Sequence, residues 1–138
     1  MALEQTLTTS FKQDCLLGVH NLAVDTIMMA LYTASADLGA GTTVYGAANE
    51  VVGTGYTAGG VVLTGATVLT SGTTAYVDFD NAVWSPASFT ARGALIYNAS
   101  KGNKAIAVLD FGADKTATTT FTVQMPANTA TAALIRFA

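Results

Sequence analysis

From residue 26 to its end, the chain is divided into short apolar or alternating segments by glycine, proline and asparagine. These turn-forming residues recur roughly every 8–12 residues, a spacing typical of antiparallel sandwiches. No segment between the expected strands has the helical pattern that a crossover between parallel strands requires. The 22 threonines of the chain agree with this, because a β-branched side chain favours strands. The sequence therefore predicts an all-β fold, an antiparallel β-sandwich or jelly roll of about eight or nine strands.

The clearest two-residue alternation lies in residues 74–80, where Ala75, Val77 and Phe79 are expected to face inward and Asp78 and Asp80 to face solvent. A second alternating segment predicts that the side chains of Phe121, Val123 and Met125 point into the core. Residues 98–104 are expected to form a hairpin loop. The remaining expected strands are 26–33, 50–54, 61–70 with a bulge at Gly65, 82–85, 89–97, 105–111, 119–125 and 133–137.

Only the N-terminal part has a helical pattern. Ser10 and Gln13 have the spacing of a capping box, Phe11 and Cys15 lie four residues apart on one face, and Gly18 stands where a helix ends. These features predict a short helix over 11–17, preceded by an extended, weakly held arm of residues 1–10 that the fold does not need. Residues 26–138 hold the strands, and the whole chain, 1–138, is expected to form a single domain.

Composition argues against several classes of protein. Charged residues make up 11% of the chain, the net charge is −3, and six residues are basic, so we expect no nucleic-acid partner. One cysteine excludes an internal disulfide and a cysteine-based zinc cluster. No apolar run approaches the length of a membrane span, so we expect no membrane partner. The N-terminus lacks the basic start and apolar stretch of a signal peptide, which predicts synthesis in a cytoplasm without a leader.

Two residues near the end of the expected helix bear on catalysis. His20 is the single histidine, and Cys15 lies close to it in sequence, so a thiol–imidazole pair is one hypothesis. The alternative is a core cysteine and a histidine whose ring bonds to a loop carbonyl. We favour the alternative, and because no serine stands in a nucleophile elbow either, we expect a protein that is not an enzyme.

Carboxylates supply the candidates for a metal site. Asp78 and Asp80 share the outer face of one expected strand, and Asp110 and Asp114 lie near the end of another. If those strands pair, the carboxylates could meet and hold calcium through oxygen ligands. Aspartates that cap turns and keep a strand edge soluble are the favoured alternative. We therefore predict no metal and no cofactor, with Asp78, Asp80 and Asp110 as the weak candidates.

Five long segments of the chain are distinctive: 11–21 (FKQDCLLGVHN), 27–33, 50–60 (EVVGTGYTAGG), 88–98 (SFTARGALIYN) and 105–112 (AIAVLDFG). They resemble a family of small proteins encoded by tailed bacteriophages, and the resemblance extends from about residue 10 to the end. It implies a virion component made in the host cytoplasm, with capsid cement or decoration as the leading function. The major capsid protein, at the outer capsid surface, would then be the partner.

The sparse charge also suits a protein that packs against neighbours in an assembly. We expect self-association as a dimer or trimer, with contacts made by one exposed strand edge and by the N-terminal arm. The arm residues proposed to bind a partner are Leu3, Glu4, Gln5, Thr6 and Leu7.

Two alternatives to a capsid role stay open. The first is a tail, collar or fibre-attachment subunit of the same virion. The second is a carbohydrate-binding receptor module, in which exposed Tyr45, Tyr56 and Trp84 would form a platform that stacks on sugar rings.

Overall fold

The computed structural model describes residues 2–137, and most of their regular structure is β-strand. Together with one α-helix, α1 (Thr9–Leu16), and a 3₁₀ turn, Ala99–Lys101, these residues form ten strands. The predicted all-β fold with a short N-terminal helix is confirmed. The strands are β1 (Thr6–Leu7), β2 (Ile27–Tyr32), β3 (Val61–Val62), β4 (Thr67–Ser71), β5 (Thr74–Asp78), β6 (Ala82–Trp84), β7 (Phe89–Asn98), β8 (Lys104–Ala117), β9 (Phe121–Val123) and β10 (Ile135–Phe137).

The strands form three antiparallel sheets. The largest has the order β1-β8-β7-β2-β3, a second has the order β10-β5-β4, and β6 pairs with β9. The long hairpin of β7 and β8 is the centre of the largest sheet, and residues 98–104 connect its strands as predicted. Gly102, with φ +67°, ends the 3₁₀ turn in the left-handed conformation that glycine adopts without strain.

The main core fills the space between one face of the largest sheet and the two smaller sheets. Phe121, Val123 and Met125 are buried in it, so their predicted inward orientation is confirmed. The fold is therefore consistent with a sandwich whose second layer is divided into two parts. The large side chains of this core include Phe11, Ile27, Met29, Leu31, Val77, Phe79, Trp84, Phe89, Ile96, Ile106 and Ile135.

A second core covers the opposite face of the largest sheet. There Tyr32, Leu95 and Tyr97 pack against the chain between β2 and β3 and against the N-terminal residue Leu3. Strands β2 and β7 are thus covered on both faces, which explains why their sequences are nearly continuous apolar runs instead of alternating ones.

Two expected strands differ in the structure. Residues 50–54 form no strand, and their strand-like pairing is limited to isolated bridges at Glu50 and Thr54. The expected strand 61–70 is split into β3 and β4 at Gly65, which has φ +69°. The positive φ favours glycine at this position, and a Cβ atom there would also lie 2.4 Å from the Asp80 carboxyl group, which would have to move.

The alternation expected over 74–80 fails at Asp78. Val77, Asp78 and Phe79 are all buried, and β5 ends at Asp78, so the alternation does not continue through Phe79. The Phe79 amide donates to Asp78 Oδ1 at 2.9 Å, so this carboxylate turns back on its own backbone. The expectation that Asp78 faces solvent is therefore wrong.

The helix begins earlier than predicted, and its cap is Thr8 instead of Ser10. The Phe11 amide donates to Thr8 Oγ1 at 3.1 Å, and that hydroxyl donates to Ala105 O at 3.3 Å. The Thr8 amide also donates to Ile106 O at 3.0 Å. Bonding to β8 thus fixes which hydroxyl caps the helix, and local spacing alone does not contain that information. Gly18, with φ +70°, follows the helix end as predicted.

The N-terminal arm is extended, as predicted, but it is an integral part of the fold. Thr6 and Leu7 pair with Val108 and Ala107 of β8 as the edge strand β1. Leu3 is buried and forms a bridge with Leu38. The expectation of a weakly held, dispensable arm is therefore wrong, since removal of residues 1–9 would also remove β1 and the helix cap.

We expect Thr8→Ala to lower the free energy of unfolding by about 1–2 kcal/mol, because it removes the cap and a buried hydroxyl bond to β8. Ser10→Ala is the matched control and should change stability by less than about 0.5 kcal/mol, since its hydroxyl makes only long, partly exposed contacts. Urea unfolding measures both values. A larger loss for the Ser10 variant would contradict the assignment of the cap.

Candidate functional site

An open groove of about 1050 Å³ lies between the β1–β8 edge of the largest sheet and the chain that runs from β9 to β10. We call it the β8 groove. It is lined by Gln5, Thr6, Leu7, Ala107, Val108, Leu109, Phe111, Lys115, Thr116, Ala117, residues 120–127 and residues 132–134.

The groove exists because β8 is much longer than its outer neighbour. Strand β8 has 14 residues, whereas β1 pairs with only two of them. The Gln5 side chain extends this contact by one bond, accepting from the Asp110 amide at 3.2 Å. Beyond Asp110, no other strand of residues 2–137 pairs with the outer edge of β8. Such an unpaired edge can bind an added strand through its backbone groups.

The chemistry of the groove suits an extended, largely apolar segment. Leu109, Phe111 and Leu134 provide partly buried apolar surface next to the main core. Threonine and glutamine side chains stand beside them, and Lys115 is the single charged residue among those that line the groove. Binding there would depend on shape, apolar contact and backbone hydrogen bonds more than on charge.

The structure places the five arm residues in two environments. Gln5, Thr6 and Leu7 line the β8 groove, so three of the five are together at one site. Leu3 lies in the second core, and Glu4 is exposed beside a separate shallow hollow that includes Asp37 and Leu38.

The carboxylates considered as metal ligands are not brought together. Asp78 is on β5 and Asp110 on β8, in different sheets. Asp110 accepts from Arg92 Nε at 3.2 Å and from the Gly112 amide at 2.9 Å, which lowers the pKa of its carboxyl group. Asp80 lies against Gly65. Within residues 2–137, no three histidine, cysteine or acidic side chains are grouped to hold a metal ion. The hypothesis that these carboxylates share a calcium ion is therefore wrong.

His20 belongs to a polar network that joins the turn after the helix to the β7–β8 hairpin. Its Nδ1 lies 3.0 Å from Asn98 Nδ2, and because an amide nitrogen donates, Nδ1 accepts and the ring proton is on Nε2. Asn98 Nδ2 also donates to Asp25 Oδ2 at 2.8 Å, and Lys101 Nζ lies 2.9 Å from the same oxygen. The histidine thus bonds to a side-chain amide and not to the loop carbonyl that we expected.

The same network bears on the thiol–imidazole hypothesis. Burial lowers the pKa of His20 and raises the pKa of the Cys15 thiol, and Asp14 raises the thiol pKa further. No hydrogen bond joins Cys15 to His20 in the described part of the chain. A protonated thiol beside a neutral, hydrogen-bonded imidazole lacks the lowered thiol pKa that a nucleophilic cysteine requires, so this arrangement is structural.

A buried carboxylate that the sequence analysis did not identify holds the loop between β2 and β3. Glu50 Oε1 accepts from Tyr45 OH at 2.6 Å, and Oε2 accepts from Tyr56 OH and, at 2.7 Å, from the Gly59 amide. Tyr56 OH in turn accepts from the Leu31 amide of β2 at 2.9 Å. Burial raises the pKa of both tyrosines, and the hydrogen bonds to Glu50 raise it further. The sequence contained one signal of this site, because Glu50 is a single acidic residue between Tyr45 and Tyr56 in an otherwise uncharged stretch.

The three aromatic residues of the carbohydrate hypothesis do not form an exposed platform. Trp84 is 3% exposed, and its ring stacks 6.3 Å from that of Tyr56 in the main core. Tyr45 stacks 4.8 Å from Tyr97 in the second core, on the opposite face of the largest sheet. These rings are therefore interior packing residues.

Comparison of the chain with protein-family models, with curated proteins and with solved structures finds no match in any of the three. No helix within residues 2–137 is long and apolar enough to cross a membrane.

Replacing Glu50 tests its role in holding the loop. Glu50→Met leaves three partly buried donors without an acceptor, so we expect a loss of about 3 kcal/mol in the free energy of unfolding. Glu50→Gln keeps one acceptor oxygen and should lose only about 1 kcal/mol. Hydrogen exchange should show the Gly59 amide losing protection in the methionine variant. Equal stability of the two variants would contradict this role.

Asp25 should make stability depend on pH. Hydrogen bonds from the Asn21 amide and Asn98, together with Lys101, lower the pKa of Asp25 from 3.8 to about 2. Because the pKa of Asp25 is lower in the folded than in the unfolded protein, its ionised carboxylate stabilises the fold at pH values above the unfolded-state pKa. This contribution is lost as the pH falls through the folded-state pKa. The stability advantage of the wild type over Asp25→Asn should therefore be present at pH 4 and shrink between about pH 4 and 2. Thermal unfolding across this range measures it, and a constant difference would contradict the assignment.

Proposed function

We propose that this chain is a non-enzymatic structural protein of a tailed-phage virion, a cement or decoration protein that binds the major capsid protein and stabilises the shell from its outer surface. The observation that carries the proposal is the β8 groove, an open and nearly uncharged site along an unpaired strand edge. The resemblance of five long segments to small phage proteins gives the biological setting.

The binding step would be the addition of an extended capsid segment to the outer edge of β8. Its backbone would bond to the β8 groups beyond Asp110, and its alternate side chains would cover Leu109, Phe111 and Leu134. Each square ångström of apolar surface buried this way contributes about 25 cal/mol before the losses of association are counted. Thr6 and Leu7 of the arm would form the end of the groove against which the segment stops.

Such binding would stabilise the shell by linkage. A protein that binds assembled subunits better than free ones shifts the equilibrium toward assembly, and the shift grows with its free concentration. The near absence of charge in the groove means that attachment would depend little on ionic strength, because surface electrostatic attraction is the part of binding that salt screens.

The number of copies of the chain in purified phage particles tests the proposal, measured by quantitative mass spectrometry against the major capsid protein. A cement role predicts hundreds of copies. A few dozen would support the tail, collar or fibre-attachment alternative instead, and complete absence would overturn a virion role.

A pair of matched variants locates the contact. Thr122 is exposed and lines the β8 groove, whereas Thr118 is exposed but lies outside it. We expect Thr122→Lys to lower particle occupancy at least about tenfold, since burying an unpaired ammonium group opposes binding. Thr118→Lys should bind like the wild type. Equal occupancy of both variants, with unchanged thermal unfolding, would remove the groove from the mechanism.

A further inference from the structure

Strand β4 is an edge strand without the features that usually protect such edges. Within residues 2–137 it pairs only with β5, and all five of its residues are exposed. Val68 and Leu69 place apolar side chains on its two faces. Natural sheets block edges of this kind with charged residues, proline or a bulge. Thr67–Ser71 contains none of these, and no charged residue lies anywhere between Glu50 and Asp78.

We propose that β4 pairs antiparallel with β4 of a second copy of this chain. The two three-stranded sheets would then join into one six-stranded sheet across a two-fold axis. A two-fold contact brings each residue near its own counterpart, so a charged edge would repel itself. On a protein of net charge −3, a neutral edge repels a second copy less than a negatively charged edge would.

The turn after β4 fixes which backbone groups are free. Ser71 and Thr74 flank a two-residue turn that begins with Gly72, at φ +60°. In such a hairpin the flanking pair exchanges both hydrogen bonds, and bonded and non-bonded pairs alternate from there. Leu69 therefore bonds to Tyr76 of β5. The amide and carbonyl groups of Val68 and Thr70 point away from β5, toward the open edge.

This pattern is self-complementary about Leu69. A two-fold axis at Leu69 places Val68 opposite Thr70 of the second copy, and Thr70 opposite its Val68. All four outward groups of each chain would then pair, forming four hydrogen bonds between the copies. The two Leu69 side chains would meet directly, in the closely spaced non-bonded position of an antiparallel pair.

The inference deepens the proposed self-association by naming its interface, and it rests on the proposed function only for its biological setting. Every measurement below uses the purified chain, so its failure is distinguishable from a failure to find the protein in particles. If the chain dimerises through β4 but is absent from virions, the proposed function fails and this inference stands.

Sedimentation equilibrium of the wild-type chain should show a dimer of twice 14.1 kDa. Val68→Lys and Thr70→Pro should each raise the dimer dissociation constant at least about tenfold, because one adds charge to the edge and the other removes an outward donor from each copy. Proline is tolerated at an edge position whose amide is not used within the sheet. Val62→Lys is the matched control, since Val62 is also on an edge strand and is 51% exposed against 52% for Val68.

A disulfide experiment tests the register. In a Cys15→Ser background, Leu69→Cys should cross-link the two copies on oxidation, because the paired positions lie within disulfide range. Thr67→Cys is its control and should not cross-link, since that residue would face Ser71 of the second copy.

Far-UV circular dichroism verifies that each variant is folded, and the cross-link decides the question if a charged variant unfolds. A monomeric wild type at all concentrations would overturn the inference. So would a dimer that the Val68 and Thr70 changes leave intact, or a dimer that cross-links through Thr67→Cys instead of Leu69→Cys.

Discussion

Burial of the central strands on both faces is the constraint on which the rest of the structure depends. Strands β2 and β7 carry apolar side chains toward both sides of the largest sheet, so neither side can be left to solvent. The smaller sheets cover one face, and the loop after β2 together with Leu3 covers the other. The chain thus uses short, irregular segments as a cover where a larger protein would use a full second sheet.

A loop that covers a sheet lacks the regular hydrogen bonds that hold a strand in place, so it needs other attachments. Glu50 provides one of them. Its carboxylate accepts from two tyrosine hydroxyls and one backbone amide, which offsets the unfavourable removal of charge from water. Tyr56 then connects this carboxylate to the backbone of β2 through the Leu31 amide. One charged residue thereby fixes the loop to the strand that it must cover.

Two open strand edges, those of β8 and β4, belong to different sheets and have different characters. The outer edge of β8 borders a groove with apolar side chains and one lysine, which suits an extended segment of a partner. The edge of β4 is neutral and symmetric in its bonding pattern, which suits a second copy. A small protein that can engage a partner and itself through separate edges would have the bivalence that an assembly component needs.

The sequence by itself determined the class of fold, because the period of apolar residues and the positions of turn residues are local properties. Alternation was sufficient to orient Phe121, Val123 and Met125, and turn residues were sufficient to locate the β7–β8 hairpin. Tertiary structure decided whatever depends on which segments meet. Thr8 rather than Ser10 caps the helix because Thr8 bonds to β8, and Asp78 is buried although its place in the alternating segment predicts an exposed side chain. The arm became an edge strand because its backbone partners lie on β8, far along the chain, and spacing near the N-terminus holds no information about them. Glu50 became an anchor because its loop folds onto β2, where Tyr56 bonds to the Leu31 amide.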